Sequence, residues 1–143
     1  MSRMRAAVEH VKTLKKFMSP AQLNVMGNGC RNSEERDFFF SKLEEMANRV
    51  ENMPKTYETE NVKTNDKIVH LHYFVGGADW YIVEKDMVED EPQYQAFGLA
   101  NIGYGLSGLG YISINELTQD IGAELDLHFE PCTVAEIKAK HND

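Results

Sequence analysis

The apolar residues of this chain recur at helical spacing as far as residue 53 and alternate from residue 67 onward. A helix brings every third or fourth residue to one face, whereas a strand sends successive residues to opposite faces. The chain must therefore fold as helices first and sheet afterwards. Met4, Val8, Val11, Leu14 and Met18 predict a basic amphipathic helix. Ser19-Pro20-Ala21-Gln22 predicts a second start, with Ser19 as cap, Pro20 at the first helical position and Gln22 completing a capping box. Gly27-Asn28-Gly29 predicts that this helix is short and ends in a turn. Asn32 and Ser33, followed by Glu34 and Glu35, open a third helix with acids at its positive end. Its stripe of Phe39, Leu43, Met46, Val50 and Met53 stops at Pro54.

Residues 55–66 are polar and aperiodic and read as a linker. Residues 67–75 then alternate, Gly76-Gly77-Ala78-Asp79 makes a hairpin turn, and residues 80–85 return as the next strand. Further strands are expected near 95–102, 110–112 and 125–129. Ser113 with Glu116, and Thr133 with Glu136, form capping boxes that start two short helices. The expected fold class is α+β, an antiparallel meander of about five strands with flanking short helices, preceded by a helical N-terminal segment. Residues 1–55 form that segment and 56–143 a β-rich core domain.

Charge divides the chain in the same place. Residues 1–67 carry 12 Lys and Arg against 10 Asp and Glu, whereas residues 68–143 carry only Lys85, Lys138 and Lys140 against 13 acids. A field of that sign repels phosphate backbones, so nucleic acid is an unlikely partner and a basic protein surface a suitable one. No apolar run has the length of a membrane span, and the N-terminus lacks the apolar core of a secretory leader. Cys30 and Cys132 are then expected to be free thiols in a reducing cytoplasm. The heptad-like stripes of the first helices suit a homodimer.

Several clusters suggest chemistry. Gly103-Tyr104-Gly105-Leu106-Ser107-Gly108 spells GxGxxG, but a dinucleotide site needs those glycines to open a helix, and here they lead into a strand. The run instead reads as a loop needing positive φ. His70 and His72 lie two apart on a strand, a spacing that suits a metal, with His128, Asp79 or Glu84 as a further ligand. Neither Cys30 nor Ser107 has a local nucleophile signature. Glu84/Asp86 and Glu124/Asp126 are spaced to share a strand face, as an acid–base pair requires. Acids 84–91 beside Trp80, Tyr81, Tyr94 and Phe97 form an acidic aromatic patch, with aromatics as anchors and acids as steering groups.

The stretch 68–129 resembles a family known as domain of unknown function twenty-nine fifty-eight. The resemblance rests on His72-Tyr73-Phe74, Trp80, Glu84, Phe97-Gly98-Leu99, Gly103 and Gly105, and most specifically on Leu109-Gly110-Tyr111-Ile112-Ser113 with Glu116-Leu117. Glu124, Asp126 and Phe129 fall where the family has two acids and an aromatic. Gly76-Gly77 stands in place of the family's proline-bearing turn, and residues 120–123 in place of its Arg-Gly-Pro-Leu-Gly stretch. The resemblance implies a compact β-rich fold and carriage on plasmids and other mobile elements, and transfers no active site.

The expected function is that of a non-enzymatic accessory protein of a mobile element. It would bind a basic protein, such as a nucleic-acid-binding effector of host defence (anti-CRISPR or anti-restriction), through Trp80, Glu84, Asp86, Asp90, Glu91 and Tyr94. No cofactor is expected. One alternative is a small metal-dependent enzyme using His70 and His72. Another is a DNA-associated role for the basic first helix, with Arg3, Arg5, Lys12, Lys15 and Lys16 on phosphates.

Overall fold

The computed structural model describes residues 2–32, 34–88 and 91–141. Helix α1 spans Arg3–Leu14, with the Ser2 hydroxyl accepting the Arg5 N–H at 3.1 Å as its cap. Helix α2 spans Pro20–Asn32, and the Ser19 hydroxyl accepts the Gln22 N–H at 3.1 Å. Helix α3 covers Arg36–Asn52 and ends before Pro54. Of the residues expected to open it, Ser33 lies outside the described residues, and Asn32 is instead the last residue of α2.

Gly27-Asn28-Gly29 does not end α2; the helix runs through it. The reason is packing. Gly29 is buried, and a Cβ there would lie 2.3 Å from Cδ2 of Phe39. The missing side chain lets α2 approach α3, and tertiary contact overrides the local turn signal.

Strands β1 (Ile68–Val69), β2 (Leu71–Val75), β3 (Ala78–Glu84), β4 (Ala96–Asn101), β5 (Gly110–Ile112), β6 (Glu124–Leu125) and β7 (Cys132–Thr133) follow, and helix α4 (Val134–His141) closes the described chain. An antiparallel sheet of order β5-β4-β3-β2-β6 forms the body, and β1 pairs with β7 in a small second sheet. The fold is α+β. The Gly76-Gly77 turn joins β2 to β3 as a hairpin, with Val75 opposite Ala78. Gly103 (φ 106°) and Gly105 (φ 97°) hold the β4–β5 loop in the left-handed region, as the loop reading of GxGxxG requires. Thr133 and Glu136 complete a reciprocal capping box at the start of α4, each receiving the other's backbone N–H at 3.2 Å. Ser113 accepts the Glu116 N–H at 3.0 Å, and one turn of π-helix follows over Glu116–Ile121.

The sheet separates two cores. On one face Leu71, Tyr73, Ile82, Ala96 and Leu125 pack with Leu14, Met18, Met26, Leu43 and Met46 of the helical segment. One apolar cluster thus joins helices and sheet. Tyr73 is fully buried, and its hydroxyl reaches back 2.5 Å to the Phe17 carbonyl. On the other face Tyr81, Val83 and Leu99 meet Phe129, Val134 and Ile137.

Two further segments differ from expectation. The last strand was expected over 125–129, but β6 stops at Leu125. The Asp126 carboxylate accepts the His128 N–H at 2.9 Å and its carbonyl accepts the Phe129 N–H, which bends the chain into a turn. Residues 55–66, read as a linker, are mostly exposed, but their first residues pair with the sheet and fix the segment as a strap beside it. Thr56 donates to the Lys85 carbonyl at 2.7 Å, and Lys85 donates to the Pro54 carbonyl at 2.9 Å. Among the described residues no helix is long and apolar enough to cross a membrane.

Candidate functional site

The residues of the acidic aromatic patch do not share one surface. Trp80 is half-buried and packs against the helical core. Glu84 is 3% exposed, because a register shift after Ile82 sets it opposite Phe97 beneath the strap. Its carboxylate accepts the N–H groups of Tyr57 and Thr59, each at 3.1 Å, and the Thr59 hydroxyl, with the Lys67 ammonium 4.0 Å away. Asp86 is 6% exposed and accepts the N–H groups of Val88, Tyr94 and Gln95 at 3.1, 3.2 and 2.9 Å. Both carboxylates therefore hold loops together instead of facing a partner, which corrects the expectation that they are exposed. Part-buried loop N–H groups outside the strand ladder need acceptors, and these acids supply them. Glu91 and Tyr94 are exposed. Asp90 lies outside the described residues.

The structure builds a different polar cluster at the other end of the sheet. His72 lies opposite Tyr81 in the β2–β3 ladder, and the two rings stack with centroids 4.8 Å apart and planes within 8°. Nδ1 of His72 is 2.9 Å from Asp126 Oδ2, and Nε2 is 2.7 Å from Asp79 Oδ1. A neutral imidazole has one N–H, so holding both carboxylates takes a doubly protonated ring or one protonated carboxyl. The Tyr81 hydroxyl meets Nε2 of His141 at 2.7 Å, and Nδ1 of His141 lies 3.0 Å from the Asn101 amide. Burial, and then the nearby Asp79, push the Tyr81 phenol up to about 12. Burial and the Arg49 guanidinium lower the pKa of His70.

Beside this cluster a groove of about 360 Å³ opens between α2 and β6. Phe39, Phe74, Val25 and Leu127 provide apolar walls, and Glu124 and Asp126 the charge; among the described residues no Lys or Arg lines it. Phe74 and Val25 are 36% and 62% exposed. β6 is an edge strand, yet the Gln22 amide accepts the Leu125 N–H at 2.9 Å and donates to its carbonyl at 2.8 Å. That cap blocks strand addition and leaves the side chains as the accessible recognition surface. Gln22 thus ties α2 to β6 rather than completing the box at Ser19. The clues in the chain were the Glu124/Asp126 spacing and Phe74 two residues after His72; what was missing was the pairing of β6 with β2, which joins them.

The alternatives gain little geometry. Among the described residues no group of three or more His, Cys, Asp or Glu side chains is placed to hold a metal ion. Both nitrogens of His72 already face carboxylates. His128 stacks on Phe38, with centroids 5.9 Å apart. On α1, two of the five cations considered for phosphate binding sit in exposed ion pairs, Arg3 with Asp37 at 2.7 Å and Lys12 with Glu9 at 3.1 Å; what opposes that reading is the acid excess beyond residue 67, which repels a phosphate backbone. Cys30 and Cys132 are free thiols, and burial raises the pKa of both.

The model of one family, described as protein of unknown function (DUF2958), matches residues 42–136. That is well over half of the chain, and the chain belongs to this family. No curated protein and no solved structure matches it.

Proposed function

We propose that this member of the family of unknown function DUF2958 works by binding a basic partner protein and not by catalysis, with the α2–β6 groove as its docking face. The observation that carries the reading is the lining of that groove: aromatic and aliphatic walls in which Phe74 and Val25 are exposed, two carboxylates and, among the described residues, no lysine or arginine. An arginine or lysine can lay its aliphatic stem along Phe74 and Phe39 and present its charged head to Glu124 and Asp126. The excess of 13 acids over three lysines beyond residue 67 adds long-range attraction for such a partner. In its most concrete form the protein is an accessory factor of a mobile element, and the partner a nucleic-acid-binding effector of host defence, whose own surface is basic. The reading is favoured over a metal-dependent enzyme by His72, whose ring nitrogens both already face carboxylates.

The test is capture of partners from host lysate by the wild-type protein and by Glu124→Lys and Phe74→Asp variants. A basic protein that elutes with salt and is lost from both variants is the expected result. Recovery independent of salt and of Glu124 would count against the reading.

A further inference from the structure

We infer that a second groove, between α1 and α2, is a docking site for an acidic amphipathic helix of a partner protein. The groove measures about 470 Å³, within the ~300–1,000 Å³ typical of ligand sites. Met4, Val8 and Val11 of α1 form one wall at spacings of four and three, Leu23 and Gly27 of α2 form the other, and Leu43 of α3 also lines it. Met4 and Val8 are 42% and 49% exposed, although they sit on the apolar stripe of their helix. Apolar walls supplied by two helices, with residues at such spacings, accept a further helix that inserts anchors at every third or fourth position.

Charge selects the occupant. Lys12, Lys15 and Arg31 border the groove and, among the described residues, no acid lines it, in a protein whose formal net charge is −8. An incoming helix with acidic residues flanking its apolar stripe would meet Lys12 and Lys15 on one side and Arg31 on the other. Lys12 is held by Glu9 at 3.1 Å and Arg31 by the Asn28 side chain at 2.9 Å. Both contacts are exposed and local, of the weak kind that solvent screens, so a partner's carboxylates can replace them. A second copy meeting the first groove to groove would set these cations against one another, which disfavours self-association through this face. The groove's two helical walls also precede the region that the family model matches.

The experiment uses the full chain and synthetic helical peptides of about four turns, with leucine anchors at alternating three- and four-residue spacing. One peptide carries glutamate on the flanks, one lysine, and one glutamate with alanine in place of leucine. Fluorescence anisotropy should show the glutamate–leucine peptide binding at least tenfold more tightly than either other peptide. Lys15→Glu combined with Arg31→Glu should reverse the preference, and Val8→Asp should abolish binding, both without change in the thermal transition. Equal affinity for glutamate- and lysine-flanked peptides, no binding, or binding that survives Val8→Asp would overturn the proposal. So would sedimentation equilibrium showing self-association that Val8→Asp dissolves, since the occupant would then be a second copy.

Discussion

Alanine at Gly29 should destabilise the protein, whereas alanine at Gly27, two positions earlier in the same helix, should stabilise it. Each replacement removes the same flexibility from a helical position, a gain of about 1 kcal/mol. At Gly27 a new Cβ meets nothing nearer than an Arg31 nitrogen at 4.0 Å, so the gain survives. At Gly29 the Cβ falls 2.3, 2.5 and 2.6 Å from Cδ2, Cε2 and Cγ of Phe39. Because Cγ is the root of the ring, spinning the ring cannot relieve the clash; the whole side chain must swing about χ1. That motion breaks its edge-to-face contact with Phe38, now at 5.3 Å and 77°. Overpacking of this kind costs about 1–3 kcal/mol. Taking its upper part and subtracting the helical gain leaves Gly29→Ala less stable by about 1–2 kcal/mol. Urea unfolding followed by far-ultraviolet circular dichroism measures both variants, and an unchanged m-value would show that only stability moved. A rise in midpoint for Gly29→Ala comparable to that of Gly27→Ala would refute the close α2–α3 packing.

Three further predictions follow from single residues. Because burial and Arg49 lower the pKa of His70, the unfolded chain takes up that proton first; its contribution is complete above about pH 6.5 and is lost as pH falls through the lowered folded value. His70→Gln should flatten the pH dependence of the melting temperature between neutral and mildly acidic solution. Glu84→Gln should cost about 1–3 kcal/mol and expose residues 55–67 to limited proteolysis, since the strap's N–H groups lose their charged acceptor. Tyr81, raised to about 12, contributes stability that is full below pH 10 and declines as pH rises toward 12. Tyr81→Phe should remove a late step from the phenolate absorbance titration.

Much of the fold was legible because period and punctuation agree. The stripes of α1 and α3, the Gly76-Gly77 hairpin, the loop character of residues 103–108 and the capping box at Thr133 all rest on local rules, and the structure follows them. The misreadings share one cause, long-range contact. Gly29 reads as a turn until Phe39, ten residues on, is seen to fill the space. Glu84 and Asp86 read as surface acids until the strap and the β3–β4 loop wrap their carboxylates. Gln22 reads as half of a capping box until Leu125 is seen to engage its amide. The candidate groove was hidden for the same reason: α2, α3, β2 and the segment around β6 supply its walls from four separate stretches, and no local pattern joins them.

The most direct test of the docking face is an NMR titration of the isotope-labelled full chain with a short peptide alternating arginine and leucine. Amide shifts should concentrate at Val25, Phe74, Glu124, Leu125 and Asp126, reverse with added salt, and disappear in Glu124→Lys. Shifts spread evenly over the acidic surface, or centred on the loop of Glu91 and Tyr94, would contradict the assignment of the α2–β6 groove.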